Sequence, residues 1–348
     1  MKREVDLVLD SGAFTAWRQE KSIDLDRYIQ FIHDHEEHLW HYVNLDTIPG
    51  RYKVTRTPEQ TEEAARLSFR NLEVMTKNGL DPMPVFHQGE RFYWLEKMLD
   101  FGCSYIGLSP VNRAGVDQKC QWLDEVFGLL CNNDQGMPCV KTHAFGLTSP
   151  PLLLRYPWYS ADSVSWLLGG GFGRVFIPRI LPDGSYDYSV VETPEVSHVG
   201  DSAGVRKGNH LDHYGLTLRA ALEKYLAKAA PGISLQDIRD TRAARTTLNA
   251  IYFRDLSRNR KLRPFTLGGA GLFGSTMKRH KTKPIKLPEE LIMIFTISNA
   301  APDSNGLQDH ECRHRLVTYW NWVIEVGFDI PAYVRTGRLG RYQKEQTK

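Results

Sequence analysis

The sequence lacks the cysteine patterns that staple small folds or bind structural metals. Its five cysteines form no CxxC pair, and an odd, scattered set is typical of reduced thiols rather than of a disulfide framework. No apolar run reaches transmembrane length, and the start MKREVDLVLD has no apolar signal-peptide region. These absences predict a cytoplasmic protein with no membrane partner.

The sequence also lacks a low-complexity linker, so we expect one domain over residues 1–348. A hydrophobic content of 41% and a charged content of 24% are those of an ordinary globular protein. A chain of 348 residues is long enough to bury a large core.

Net charge is small, at +3, but the charges are unevenly distributed. Residues 254–286 contain ten Lys or Arg residues and one acid, Asp255. A cluster of one sign suits a polyanionic partner, although a solvated basic face without a partner is the alternative. The candidate nucleic-acid-binding residues are Arg258, Arg260, Lys261, Arg263, Lys278, Arg279 and Lys281.

Short apolar runs alternate with helical patterns along the first half of the chain. The runs predict strands over residues 4–9, 40–45, 83–86, 103–106, 138–142 and 158–161, with 174–177 as a possible seventh. Such alternation is typical of parallel strands joined by crossover helices. Because no GxGxxG follows the first strand, we predict an α/β fold, a (β/α)8 TIM-like barrel, rather than a Rossmann sheet.

The second half of the chain is less regular. Its patterns predict helices over residues 212–230, 235–252 and 313–326, a glycine-rich loop over 267–275, and a last strand over 291–297. We interpret this half as completion of the barrel with C-terminal insertions, including a basic insertion around residues 254–286.

Polar or small residues stand at the carboxyl ends of the predicted strands. They are Asp10, Asp46, His87 with Gln88, Gly107 with Leu108, His143 and Asp162. In a barrel these ends surround one pocket, so the set predicts a functional site. Each residue alone has a simpler interpretation: Asp162 as a helix N-cap, His143 as a satisfied core histidine, Asp10 and Asp46 as turn residues.

Two carboxylates in one pocket suit chemistry at a sugar carbon. Asp162 can act as a nucleophile that forms a covalent glycosyl intermediate, and Asp10 can transfer protons. An ordinary glycoside hydrolase also uses two carboxylates, so this pair alone leaves both activities open.

Other predicted site residues favour a nucleobase as the ligand. Asp46 and Gln88 supply the acceptor and donor groups that read a purine edge. Gly107 lets the backbone approach a flat ligand, and Phe14 can stack on one.

Short motifs, in the same order along the chain, resemble elements of the tRNA-guanine transglycosylase superfamily. LDSGAF at residues 9–14 resembles its DSGxF element, and FHQG at 86–89 resembles its Gln-Gly element. YIGL at 105–108 is similar to its glycine-leucine segment. HAFG at 143–146, followed by Asp162-Ser163, is similar to the elements that carry its nucleophile. The resemblance covers the first half of the chain.

The resemblance implies a (β/α)8 barrel that exchanges guanine for a 7-deazaguanine in a polynucleotide. It implies that Asp162 attacks the nucleoside C1′ and that Asp10 is the general acid/base. The residues it implies for base binding are Asp46, Gln88, Gly107 and Leu108, with His143 shaping the pocket.

Two departures from the tRNA enzymes change the expected polymer. Their zinc pattern, CxCxxC with a later His, is absent, and His310, Cys312 and His314 lack a fourth ligand. We therefore predict no cofactor and no metal site, with zinc binding as the open alternative. The chain also leaves no room for a separate RNA-binding domain. Both departures fit better the similar DpdA-type DNA transglycosylases of phages and bacterial islands, which implies a bacterial or phage-infected host and a preQ0-type base.

DNA is thus the leading predicted partner, with tRNA as the alternative for an enzyme with a divergent periphery. A catalytically silent nucleic-acid-binding subunit is a third hypothesis, although a silent protein has no reason to keep both Asp10 and Asp162. Whether a partner protein or a homodimer is needed stays open.

Overall fold

The computed structural model describes residues 7–111, 114–147, 149–198, 210–266, 281–296 and 333–336. Its strands are β1 (Leu7–Leu9), β2 (Leu39–Tyr42), β3 (Val85–His87), β4 (Tyr105–Ser109), β5 (Lys141–Ala144), β6 (Ser160–Ser163), β7 (Ile177–Ile180), β8 (Tyr186–Glu192), β9 (Ile292–Thr296) and β10 (Tyr333–Thr336). Its α-helices are α1 (Ala13–Arg18), α2 (Leu25–His33), α3 (Pro58–Lys77), α4 (Phe92–Asp100), α5 (Val116–Leu130), α6 (Pro150–Arg155), α7 (Ser165–Gly171), α8 (Leu216–Ala229), α9 (Leu235–Asp240) and α10 (Arg242–Asn259).

Eight of the strands form one parallel sheet in the order β2-β1-β10-β9-β6-β5-β4-β3. Within it the first strand, β1, pairs with the last, β10. The chain at the end of β2 also meets the segment just before β3: Met83 N donates to Tyr42 O at 2.9 Å, and Asn44 N donates to Met83 O at 2.9 Å. The predicted α/β class, with parallel strands and intervening helices, is confirmed.

The sequence predicts the long helix α3, because Thr57-Pro58 favours a helix start and Asn78-Gly79 a helix stop, and the structure confirms both ends. Thr57 Oγ1 accepts from Gln60 N at 3.2 Å, and Gln60 Oε1 accepts from Thr57 N at 3.0 Å; together they form a capping box. Pro58 occupies the first turn, where no N–H is needed. Within the described ranges, no helix combines the length and apolar character needed to cross a bilayer.

Apolar residues cover both faces of the sheet. The main core lies between sheet and helices, and its members from four neighbouring strands are Phe86, Leu108, Ala144 and Ala161. A smaller group covers the opposite face, and its buried members are Val43, Met83, Val85 and Tyr105. We call this second side the inner face. Since successive residues of a strand point to opposite sides, each strand contributes to both.

Strands β4, β5 and β6 begin later than predicted, by two or three residues. Gly107, His143 and Asp162 therefore lie within strands rather than after them. The apolar residues just before each strand, such as Trp158 before β6, lie outside the strand and pack in the main core. The strands continue through polar residues such as His143 and Asp162, because the side chains of these residues are buried on the inner face.

The predicted seventh strand is wrong in position and in pairing. Its place is taken by β7, which pairs antiparallel with β8 in a separate two-stranded sheet. The helix predicted over 235–252 is two helices, separated at Thr241, whose Oγ1 caps α10 by accepting from Ala244 N at 3.2 Å. The predicted last strand is observed as β9, followed by β10. The glycine-rich loop at 267–275 and the helix at 313–326 lie outside the described residues.

Arg260 is a structural residue rather than part of a basic surface. It is 5% exposed, and its guanidinium donates to the carbonyl oxygens of Trp158 at 2.6 Å, Pro288 at 3.1 Å and Glu289 at 3.3 Å. Its assignment to nucleic-acid binding is corrected, since a buried guanidinium cannot reach a phosphate. Among the other candidates Arg258, Lys261, Arg263 and Lys281 are exposed, and Lys278 and Arg279 lie outside the described residues.

Candidate active site

Alternation along the strands directs titratable side chains to the inner face. Leu9 packs under helix α2, and Phe86 and Ala161 pack in the main core, so the next residue of each strand points the other way. Those next residues are Asp10, His87 and Asp162. The register agrees, since consecutive pairs join Phe86, Leu108, Ala144 and Ala161 across four strands. The residue that follows each of these four, from His87 on β3 to Asp162 on β6, therefore belongs to a second row, on the inner face.

A chain of hydrogen bonds through buried side chains forms the first part of the site. His143 Nδ1 lies 2.7 Å from Ser160 Oγ, and His143 Nε2 lies 3.3 Å from Asp162 Oδ1. The Ser160 hydroxyl also hydrogen-bonds to the Tyr105 hydroxyl. Gly146 N donates to Asp162 Oδ1 at 2.9 Å. We call Tyr105, His143, Ser160 and Asp162 the His143 cluster.

The helix-cap interpretation of Asp162 is wrong. Helix α7 begins three residues later, at Ser165, and the donors to Asp162 come from β5 and the turn after it. At 2% exposure, the carboxylate needs such donors because burial penalises its charge. His143 Nε2 can donate to Asp162 Oδ1, and Nδ1 shares a hydrogen bond with the Ser160 hydroxyl. The cluster can therefore orient a carboxylate and move a proton beside it.

A second histidine beside this cluster is neutral. The His41 ring centroid lies 4.9 Å from that of Tyr105. Burial, followed by the charges of Lys141 and His143, lowers the pKa of His41 to about 4. Among the described residues nothing hydrogen-bonds to its buried Nε2. A buried polar atom of this kind is a contact point for a polar ligand.

Gly107 makes room for a side chain of the protein itself. A Cβ at this position would lie 2.2 Å from Phe145 Cε2, and the Phe145 ring meets the His143 ring edge-on with centroids 4.4 Å apart. The next residue, Leu108, is fully buried in the main core. Gly107 thus positions an aromatic ring over His143, whereas the Leu108 side chain faces the helices.

A second polar group joins the ends of β1, β2 and β3. Asp46 Oδ2 lies 3.0 Å from His87 Nε2, and Asp46 Oδ1 accepts from Ser11 Oγ at 3.0 Å. Glu90 Oε2 accepts from His87 N at 3.2 Å. We call Ser11, Asp46, His87 and Glu90 the His87 cluster.

Burial and pairing shift the proton affinities of the His87 cluster. Burial raises the pKa of Glu90 to about 7, against the opposing charge of His87. Burial alone would lower the pKa of His87, but the hydrogen bond that its Nε2 donates to Asp46 and the charges of Glu90 and Asp46 outweigh burial and raise that pKa. Groups that titrate near neutral pH suit general acid/base catalysis.

The folded protein should lose stability as the pH rises from about 5 to 8. Folded Glu90 holds its proton up to a pKa of about 7, against an ordinary value of 4.5, so in this window the folded state binds more protons than the unfolded state and the free energy of unfolding falls. The raised pKa of His87 acts in the same direction. We expect Glu90→Gln to flatten the fall and to stabilise the protein at pH 8 by about 1–3 kcal/mol.

Urea denaturation at several pH values measures this effect. Glu20→Gln, at an exposed position, is the control and should leave the pH dependence unchanged. Identical pH dependence in wild type and Glu90→Gln would contradict the role given to Glu90.

Gln88 lines a cavity whose lining residues include no member of the two clusters. Its side chain accepts from Val111 N at 2.9 Å and donates to Gln118 O at 3.3 Å, so its amide is already engaged by the protein. The cavity has a volume of about 600 Å³. Its lining residues are Gln88, Gly89, Val111, Ala114, Gln118, Gln121, Trp122 and Glu125.

Exposed aromatic and basic side chains surround the segments after β1 and β2. Phe14 is 47% exposed, and its ring centroid lies 5.8 Å from that of Trp17, which lies 5.4 Å from that of Tyr52. Two cations, Arg18 and Lys53, lie over the Tyr52 ring at 5.2 and 5.5 Å. We call these five residues the aromatic-basic patch. Stacking rings with adjacent cations suit single-stranded nucleic acid.

Sequence reasoning missed several of these residues. Ser160 lies within a strand and matches no catalytic pattern. Glu90 follows His87 by three residues, a spacing that gave no separate signal. Trp17 and Tyr52 are far apart in sequence, and only the fold brings them together.

No family model matches the sequence, and no curated protein matches it either. The assignment of function therefore depends on the motifs and on the geometry of the two clusters.

Proposed function

We propose that the protein exchanges a guanine in DNA for a 7-deazaguanine through a covalent glycosyl intermediate. The observation that carries the proposal is the shared row from His87 to Asp162 on the inner face, with Asp10 at the end of β1. Carboxylates and an imidazole at the carboxyl ends of parallel strands are the equipment for chemistry at a sugar carbon. The four sequence motifs that resemble guanine transglycosylases supply the expected substrate, a guanine in a polynucleotide.

The proposal includes a closed (β/α)8 barrel. Two features support closure: the pairing of the first strand with the last, and the parallel bridge between Val43 and Met83, which joins the chain just after β2 to the segment just before β3, at the two edges of the sheet. Closure would make the inner face the inside of a barrel, where enzymes of this architecture bind substrate at the carboxyl ends of the strands.

In the proposed reaction the Asp162 carboxylate attacks C1′ of the target nucleotide. The C1′–N9 bond breaks with its electron pair going to guanine, which takes a proton from Asp10 at a ring nitrogen. The incoming base gives up its N9 proton to Asp10, attacks C1′ and displaces the Asp162 carboxylate. His143 and Gly146 hold the carboxylate in place. Because Asp162 is 2% exposed, we expect a neighbouring side chain to move when the nucleoside enters.

The nucleotide must leave its stack to expose C1′, which costs a few kcal/mol in a duplex. The aromatic-basic patch lies on the chain segments that follow β1 and β2, the same segments that carry Asp10 and Asp46, and there it can hold an unstacked strand. The exposed cations Lys261 and Arg263 supply further phosphate contacts. Single-stranded DNA should therefore be a better substrate than duplex DNA.

An incorporation assay tests the proposal. Purified protein is mixed with labelled guanine or a labelled preQ0-type base, and with single-stranded DNA, duplex DNA or tRNA. Label in DNA supports the proposal, and label in tRNA alone overturns the choice of polymer. No label in any polymer, from protein that is shown to be folded, overturns base exchange itself.

A further inference from the structure

A cluster of three metal-ligand side chains lies outside both parts of the candidate active site. His198, His210 and Asp212 each offer one ligand atom, and these atoms all lie within 4.8 Å of one another. We propose that this cluster is a zinc site, formed by His198 Nε2, His210 Nδ1 and Asp212 Oδ2. The proposal is independent of the function proposed above.

The distances within the cluster suit a tetrahedral metal ion. Asp212 Oδ2 lies 3.1 Å from His198 Nε2 and 3.3 Å from His210 Nδ1. Zinc binds nitrogen and carboxylate oxygen at about 2.0–2.2 Å, which places neighbouring ligands of a tetrahedron roughly 3.3–3.5 Å apart. The third pair, His198 Nε2 and His210 Nδ1, lies within 4.8 Å, so an ion that binds all three atoms fits once the two rings turn toward it.

The hydrogen bonds of His210 direct a lone pair at the carboxylate. His210 Nε2 lies 3.2 Å from the carbonyl oxygen of Ser197, an acceptor, so Nε2 carries the proton. In the neutral ring Nδ1 is then unprotonated, as its acceptance from Asp212 N at 3.3 Å also requires. A lone pair facing a carboxylate oxygen at 3.3 Å is repulsive unless a proton or a metal ion lies between them, and a proton on Nδ1 would remove the hydrogen bond from Asp212 N. His210 is 3% exposed, so solvent does little to relieve this repulsion.

The surroundings resemble the outer shell of a metal site. Ser197 O fixes the tautomer of His210, as backbone carbonyls commonly do for zinc-binding histidines. Arg239 donates to Asp212 Oδ1, the other carboxylate oxygen, and leaves Oδ2 directed at the two rings. Two imidazoles and one carboxylate are a ligand set for zinc rather than for magnesium or calcium, which prefer oxygen. Three protein ligands leave a fourth position for water.

Metal analysis of the full-length protein tests the site. The protein is stripped with chelator, loaded with zinc and desalted, and zinc is measured by mass spectrometry. We expect His198→Ala and Asp212→Asn each to reduce the zinc content by one ion per chain. Cobalt loading gives a second readout, since tetrahedral cobalt absorbs strongly in the visible range, and these variants should lose that absorption.

Two further variants serve as controls. His213→Ala removes a neighbouring exposed histidine that is not in the cluster, and Cys312→Ser removes a cysteine of the separate His310–Cys312–His314 sequence. Both should keep the zinc and cobalt signals of this site. The proposal is overturned if the wild type retains no zinc, or if His198→Ala and Asp212→Asn retain as much as the wild type does. The proposal is also overturned if the zinc content falls only in Cys312→Ser.

Discussion

Asp162→Asn abolishes base exchange, with an expected loss of at least about 10⁴-fold in kcat, as for other removed nucleophiles. An amide cannot form the ester to C1′, so no covalent intermediate accumulates. Asparagine nevertheless keeps an Oδ1 that can accept from both Gly146 N and His143 Nε2. The fold should therefore survive, and the loss should lie in the chemical step rather than in DNA affinity.

Two measurements separate this result from a folding defect. Denaturing electrophoresis of protein mixed with labelled DNA detects the covalent adduct, and circular dichroism with urea denaturation compares stability. Asp187→Asn, at a partly exposed carboxylate paired with Arg179 on the β7–β8 hairpin, is the matched control and should keep full exchange. An adduct that persists in Asp162→Asn would refute the role of Asp162 as nucleophile.

Arg260→Ala destabilises the protein by about 3 kcal/mol or more, because it removes the charged hydrogen bonds that a buried guanidinium donates to three carbonyl oxygens. Those carbonyls belong to Trp158, just before β6, and to Pro288 and Glu289, just before β9. Arg260 therefore links the chain segments that precede these two strands. Burial lowers the pKa of Arg260 to about 10, so the side chain remains charged at neutral pH. Urea denaturation at pH 7 measures the loss.

Lys261→Ala is the matched control for Arg260→Ala. Lys261 is exposed, and its removal should change the free energy of unfolding by less than about 0.5 kcal/mol. In DNA binding we expect the reverse order, with a larger effect for Lys261→Ala than for Arg260→Ala. Lys261→Ala should reduce the slope of log affinity against log salt concentration by about one, as loss of one phosphate contact does. If Arg260→Ala is as stable as the wild type and binds DNA less tightly, Arg260 belongs to the surface after all.

Much of the fold follows from local patterns in the sequence. Thr57-Pro58 and Asn78-Gly79 mark both ends of α3 correctly, since capping depends on neighbouring residues. The alternation of strands and helices predicts the parallel sheet, because parallel strands need crossover connections. The pairs Leu9-Asp10, Phe86-His87 and Ala161-Asp162 also locate polar residues at strand ends, where an outward apolar residue precedes an inward polar one.

The sequence by itself determined the class of the fold and the positions of Asp10, Asp46, His143 and Asp162 near strand ends, because these depend on local spacing. Only the tertiary structure decided which residues those side chains contact. Asp162 looks like a cap in sequence, yet its donors are His143 and Gly146 from the neighbouring strand and turn. Arg260 looks like a surface cation, yet distant carbonyls enclose it. Charge and hydropathy report residue type, whereas burial and partners depend on chain segments far apart in sequence.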